Sequence, residues 1–362
     1  RLLNDSWWTI SGTPGNKATT LRTGSHVELN GSRNLMVRWG GILEMDHSSR
    51  ISTDQNRVVL VENGTLRVKP GAKVRFDAHV HIWDGQMFEI GDSAVVYIQS
   101  LAVNKGATFR VKPGAHVIFG ADEVVINGHF DAQGGLGEDR YRIVFTPEID
   151  TYVGGVNTNC TFDPRGHEYI KRRTRVKIEG LATVADVMAS SVKATYCDFK
   201  NVSLEMKNVR TDPFVHDKFT AHRTSPQNMP GNVWTVQPFM MHYESSKWAP
   251  GLPPEFYRLS VSNCSFLDVA GVVAPRNPVQ DDYLIRGIYC INGRSMEVKN
   301  STFGNLALGL SVHGTPATQL APNLVEENTF GECDAGMHIG QGIYQVCKNT
   351  TNRVRIPING YN

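Results

Sequence analysis

The chain is poor in the features that would make it helical, membrane-spanning or strongly charged. Sustained 3.6-residue periodicity is scarce across its 362 residues, which argues against a helical fold. No run of about 18 apolar residues occurs, so no membrane span is expected. Lys+Arg number 37 and Asp+Glu 35, a net charge of +2. That balance lacks the basic footprint of a nucleic-acid binder. There is no Gly-rich phosphate loop, no G-x-S-x-G elbow and no zinc spacing of Cys and His. Nucleotide chemistry, serine-elbow hydrolysis and a structural metal site therefore have no motif to rest on. A signal peptide is missing too, and the chain starts at Arg1 rather than Met, as expected of a processed chain or a fragment.

What is present is alternation. Gly totals 34 and Asn is frequent. Four to six residues alternate apolar and polar, then meet Gly, Asn or Pro, which reads as short strands and tight turns. One phrase occurs twice: TLRVKPGAKVRF at 65–76 and TFRVKPGAHVIF at 108–119, identical at nine of twelve positions. MFEIGDSAVVYI at 87–98 fits between them. Leu43, Leu66, Phe88, Phe109 and Phe130 then become equivalent anchors, spaced 23, 22, 21 and 21 residues apart. A period near 22 with alternation inside each unit predicts a β-solenoid, one unit per coil. A single coil cannot bury its apolar side, but stacked coils fuse those sides into one core.

The second half keeps the metre with another phrase. NCTF starts at Asn159, YCDF at Tyr196, NCSF at Asn263, NSTF at Asn300 and NTF at Asn328. Strands after these align Gly287, Gly309 and Gly336. Alternation predicts Ile288, Leu310, Met337, Cys290, Val312 and Ile339 inward, with Tyr289, Ser311 and His338 outward in one column.

On coil length, the inward Val/Ile/Phe pattern and the Asn-x-x-Phe turns, the chain resembles the right-handed parallel β-helix repeat family over roughly residues 25–350. That scaffold serves pectate lyases, phage tailspikes and many secreted adhesins. The resemblance implies an all-β right-handed parallel β-helix of roughly a dozen coils. It carries a fold more firmly than a function. The expected organisation is an N-terminal cap over 1–24, marked by Trp7 and Trp8, then a solenoid over 25–362 with a lateral insertion at about 205–257.

Cys160, Cys197 and Cys264 share one slot of the repeated phrase, and Cys290 sits at an inward slot, as buried thiols would. Cys333 and Cys347 lie nearer coil edges and form the expected disulfide. Eight N-x-S/T sequons exceed what composition alone gives and point to a secreted glycoprotein. Those at Asn159, Asn263 and Asn300 belong to the repeated turn, where Asn tolerates the left-handed conformation. Asn4, Asn30 and Asn349 are the expected glycan sites. The expected location is extracellular or at the cell surface.

Three places suit chemistry. The excursion at 205–257 offers Trp234, Phe239, Tyr243 and Trp248 as flat faces for sugar rings, with His216, Asp217, His222, His242 and Glu244 as polar contacts. The same aromatics also suit a satellite core. The loop 272–286 brings Asp281, Asp282 and Arg286 before the strand of Tyr289, beside His313 and His338. Carboxylates, Arg and His on one face suit a polysaccharide lyase or a two-carboxylate glycosidase. Solvated polar residues give the same pattern. The polygalacturonase motifs occur out of order, since RVK at Arg175–Lys177 precedes the Asp pair and His313–Gly314. Thirdly, His79 and His81 share an outward face with Lys73, Arg75 and Asp77, which suits a metal or anion site or a salt-bridged surface.

The leading expectation is non-catalytic: an extracellular structural or adhesive module whose loops bind glycans or sister chains. The alternatives are a polysaccharide lyase or glycoside hydrolase working in a lateral groove, and a segment of a larger surface filament. No cofactor is expected, with Ca²⁺ left open.

Overall fold

The computed structural model describes residues 8–12, 18–29, 34–53, 57–136, 139–148, 160–162, 168–170, 174–180, 189–221, 239–245, 258–268, 286–292, 295–313 and 322–360. The fold is an all-β parallel solenoid of about 10 turns at ~24 residues each, with essentially no helix. The turns are thus fewer and longer than the sequence period suggests. No helix among the described residues is long and apolar enough to cross a membrane. The chain divides into two compact units, Arg1–Glu148 with Val176–Cys197, and Ile149–Arg175 with Asp198–Asn362.

In the first unit, the five anchors lie in register on successive parallel strands. Leu43 pairs Leu66, Leu66 pairs Phe88, Phe88 pairs Phe109, and Phe109 pairs Phe130. All five are buried, each contributing roughly 1.5–3 kcal/mol of apolar burial. The polar residue that follows each anchor points outward. These residues form a second column, Glu44, Arg67, Glu89, Arg110 and Asp131, of alternating sign. Arg67 reaches Glu89 at 3.4 Å and Arg110 reaches Asp131 at 2.9 Å.

The repeated phrase is explained by its turn. Ala72 N–H donates to Lys69 O, and Ala115 N–H to Lys112 O. Each four-residue turn has Pro second and Gly third, with Gly71 at φ 68° and Gly114 at φ 73°. Pro presets the second position and Gly supplies the positive φ that the third requires. Ser48 and Ser93 take the same conformation in the neighbouring coils.

The cap expected at 1–24 resolves, where described, into solenoid strands. Trp8–Ser11 pairs in parallel with Leu35–Arg38, and Thr19–Leu21 with Gly41–Met45. These strands satisfy their backbone groups by joining the parallel ladder.

In the second unit, Phe199, Phe219, Phe266, Phe303 and Phe330 stack one per coil, with centroids 4.7, 4.9, 5.0 and 4.8 Å apart. Their rings lie close to a column of glycines. A Cβ on Gly309 would meet the Phe330 ring at 2.7 Å, and one on Gly287 the Phe303 ring at 3.0 Å. Phe162 was expected in this column, but Cys160–Phe162 instead pairs antiparallel with Glu168–Ile170. Asn201, Asn208, Asn263, Asn292, Asn300 and Asn305 all take positive φ, from 49° to 58°, as turn residues do.

The excursion expected at about 205–257 is largely solenoid where it is described. Val202–Lys207, Lys218–Ala221 and Phe239–Glu244 are ladder strands, the last pairing both Val202–Lys207 and Arg286–Ile291. What remains, 222–238 and 246–257, lies outside the described residues.

Candidate functional site

The site grows from one parallel ladder of the second unit: Val202–Lys207, Phe239–Glu244, Arg286–Ile291, Leu308–His313, Ala335–Ile339 and Ile356–Gly360. Alternation sends one set of side chains inward. Met241, Ile288, Leu310 and Met337 share a column, as do Tyr243, Cys290 and Val312, and all are buried. The outward set forms a rung-by-rung column of Glu205, His242, Tyr289, Ser311, His338 and Asn359.

Around that column lies a cleft of about 530 Å³. Phe239, Arg286, Tyr289, Ser311, His313 and His338 line it, with Asp334, Arg355 and Asn359 beside them. The Phe239 and Tyr289 rings stack at 4.6 Å, and Arg286 places its guanidinium 5.3 Å from the centre of the Phe239 ring. His242 packs on the same tyrosine at 5.0 Å, and His313 meets its edge at 5.6 Å. Ser311 Oγ lies 2.8 Å from His313 Nε2. The chain thus presents flat aromatic faces between polar groups, a combination suited to ligands with apolar faces and polar rims.

The electrostatics follow from partial burial. Desolvation lowers the His338 pKa, and the neighbouring His313 and Arg286 lower it further. Desolvation also lowers that of His242, against the opposing pull of Glu205 and Glu244. Tyr289 is raised, first by burial and then by Glu244. Both histidines are thus held below the ordinary histidine value, which favours their uncharged form at neutral pH.

The expected residues fare differently. Arg286, His313 and His338 do come together in one cleft. Asp281, Asp282, Trp234 and Trp248 lie outside the described residues, as do Asn4 and Asn30. Tyr243 is 0% exposed. It is a core residue rather than a ligand contact, because it occupies the inward phase of a strand whose outward phase carries His242. Glu244 sits at the strand end, 3.5 Å from Lys207. Phe239, expected as a sugar-facing aromatic, and Ser311, expected in the outward column, both line the cleft, whereas Asp334 and Arg355 were not expected there. Asp334 and Arg355 enter just before the strands Ala335–Ile339 and Ile356–Gly360, a position that alternation within the strands does not reveal.

Cys333 and Cys347 were expected to be bridged, but both are free thiols. Cys333 turns inward, with Sγ 3.6 Å from Phe303 O and 3.5 Å from Gly331 O. Asn349 is a structural rung. Its Nδ2 donates to Val325 O at 2.8 Å and its Oδ1 accepts from Asn328 N at 3.0 Å. In the first unit, His79 Nδ1 lies 2.8 Å from Ser100 Oγ, and His81 Nε2 lies 2.8 Å from Asn104 Oδ1. Among the described residues no group of three or more His, Cys, Asp or Glu is placed to hold a metal ion.

No protein-family model matches the chain, and no curated protein or solved structure matches it. The site therefore has to speak for itself.

Proposed function

We propose that the chain is a carbohydrate-binding solenoid of the extracellular space or cell surface, and that its lateral cleft takes an acidic saccharide. One observation carries this reading. Phe239 and Tyr289 stack on adjacent rungs with Arg286 over the first ring and His313 against the second. Pyranose rings present C–H faces to aromatics and hydroxyls to the polar rim, and a uronate carboxylate pairs with guanidinium. The parallel ladder sets successive rungs ~4.8 Å apart, so an extended chain lying along the coils would pass from the Tyr289 ring towards His338 and Asn359.

The test is calorimetric titration of the whole chain with a galacturonate hexamer and, separately, an uncharged glucan hexamer. The acidic probe should bind at neutral pH. Arg286→Ala and Tyr289→Ala should each weaken it about tenfold, roughly 1.4 kcal/mol. Binding that survives both substitutions, or no binding, overturns the proposal. New reducing ends or an unsaturated uronate in the same samples would replace it with the lyase or hydrolase reading.

A further inference from the structure

The first unit carries a surface that the cleft above does not explain. Leu35–Arg38 is followed by a tight turn through Trp39 and Gly40 into Gly41–Met45. Both turn residues have positive φ, 52° and 72°. An Asn-Gly pair makes such a turn without strain. A side chain as bulky as tryptophan rarely takes this conformation. Trp39 is nevertheless 59% exposed, so burial does not account for its presence. Backbone held this way at an exposed aromatic is a pointer to function.

A second tryptophan stands near it. Val37 pairs Val61, and Val61 pairs Ile82. Continuing both registers by one residue sets Glu62 beside Arg38 and Trp83 beside Glu62. The Trp83 N–H donates to Val61 O at 2.8 Å, consistent with that register. Trp83 is 42% exposed. Trp83 thus stands in the column of Arg38, with Trp39 one residue further along its coil, so the two tryptophans belong to coils two rungs apart, about 10 Å along the stack, the scale of two pyranose rings joined head to tail. Arg38, Glu62, Asn63 and Asp84 complete the lining of a shallow cleft of about 390 Å³ between them.

The chemistry selects among occupants. Arg38 bridges Glu62 at 3.6 Å and lies 3.9 Å over the Trp39 ring. One face of that ring thus already holds a cation, which disfavours a second. Glu62 and Asp84 outweigh Arg38 in charge, which disfavours an anionic chain, a nucleic acid or an anionic lipid surface. Two spaced flat faces with carboxylates, an amide and a guanidinium between them suit an uncharged polyol with apolar faces. We infer that this corner is a second carbohydrate site, taking a linear neutral oligosaccharide stacked across Trp39 and Trp83. It stands independently of the acidic-saccharide reading of the other unit.

The experiment uses the full chain produced in a bacterium that does not N-glycosylate, because Asn63-Gly64-Thr65 is a sequon. Hexamers of β-1,4-linked glucose, xylose and mannose are titrated while tryptophan fluorescence and heat are followed. At least one should bind saturably, with a change in emission. Trp83→Ala should weaken it about tenfold, the size of one lost ring contact. Trp39→Gly should do the same while leaving the unfolding temperature unchanged or raised, since glycine suits the positive φ. Tyr289→Ala should have no effect on these probes. No saturable binding of any hexamer, binding that survives both tryptophan changes, or competitive displacement of the sugar by choline would overturn the inference.

Discussion

Phe266 tests the aromatic column most directly. Its ring is fully buried, with Phe219 at 4.9 Å on one side and Phe303 at 5.0 Å on the other. Phe266→Ala removes the ring's burial and leaves a cavity between neighbours held in place by their own backbone ladders. Such a truncation costs about 3–5 kcal/mol, a large share of a typical stability of roughly 5–15 kcal/mol. Phe330 supplies the internal control. It stacks on Phe303 at 4.8 Å, but the next rung below it carries Thr351. Phe330→Ala therefore loses one stacked ring where Phe266→Ala loses two. The difference should be about 0.5–1.5 kcal/mol, the worth of one aromatic pair. Urea denaturation followed by circular dichroism reads both variants, with the slope checked for loss of cooperativity. A cost below about 1.5 kcal/mol for Phe266→Ala, or equal costs for the two variants, would refute the reasoning that the stack carries the core.

Three further outcomes are expected. Arg67→Glu places a third carboxylate between Glu44 and Glu89 and should lower the urea midpoint, with added salt recovering part of the loss; a midpoint insensitive to the change would show the column to be inert. His79, His242 and His338 all have lowered pKa values, with burial the leading cause. The unfolded chain then binds more protons than the folded one below the ordinary histidine value, so stability is full above about pH 6.5 and falls as pH drops through the lowered folded values. Denaturation at pH 7.5 and 5.5 checks the sign, and a flat or rising midpoint on acidification would contradict it. Because Cys333 and Cys347 are unbridged, a reductant should leave the unfolding temperature unchanged. Native alkylation should reach the half-exposed Cys347 before the buried Cys333, and a mass two protons short of the all-thiol chain would reverse that assignment.

The regular part of the fold was legible because two periods agreed. The anchors from Leu43 to Phe130 recur every 21–23 residues, and each sits in a run alternating every second residue, so register and facing follow together. Phe219 escaped notice because DKFT lacks the Asn-x-x-Phe phrase, yet it stacks between Phe199 and Phe266. Phe162 misled for the opposite reason, since its phrase matches but its strand pairs antiparallel. In the candidate site, Arg286, His313 and His338 were found from aligned glycines. Tyr243 was misread because its strand was taken for a loop, where alternation has no meaning. Trp39 gave no signal, because nothing local distinguishes an apolar residue in a turn from one in a core until its φ is known.

The alternating column of Glu44, Arg67, Glu89, Arg110 and Asp131 bears on folding errors. Near-copied coils have near-copied cores, so apolar packing discriminates weakly between the right neighbour and the next one along. The two most similar coils, TLRVKPGAKVRF and TFRVKPGAHVIF, are the pair most prone to be mistaken for partners. They carry Arg67 and Arg110 at the same slot. If the coil between them were skipped, arginine would face arginine, and Glu89 would lose its partners Arg67, Arg110 and Lys112. The outward charges thus act as a parity check on strand order, penalising a slip of one coil that the hydrophobic interior would tolerate.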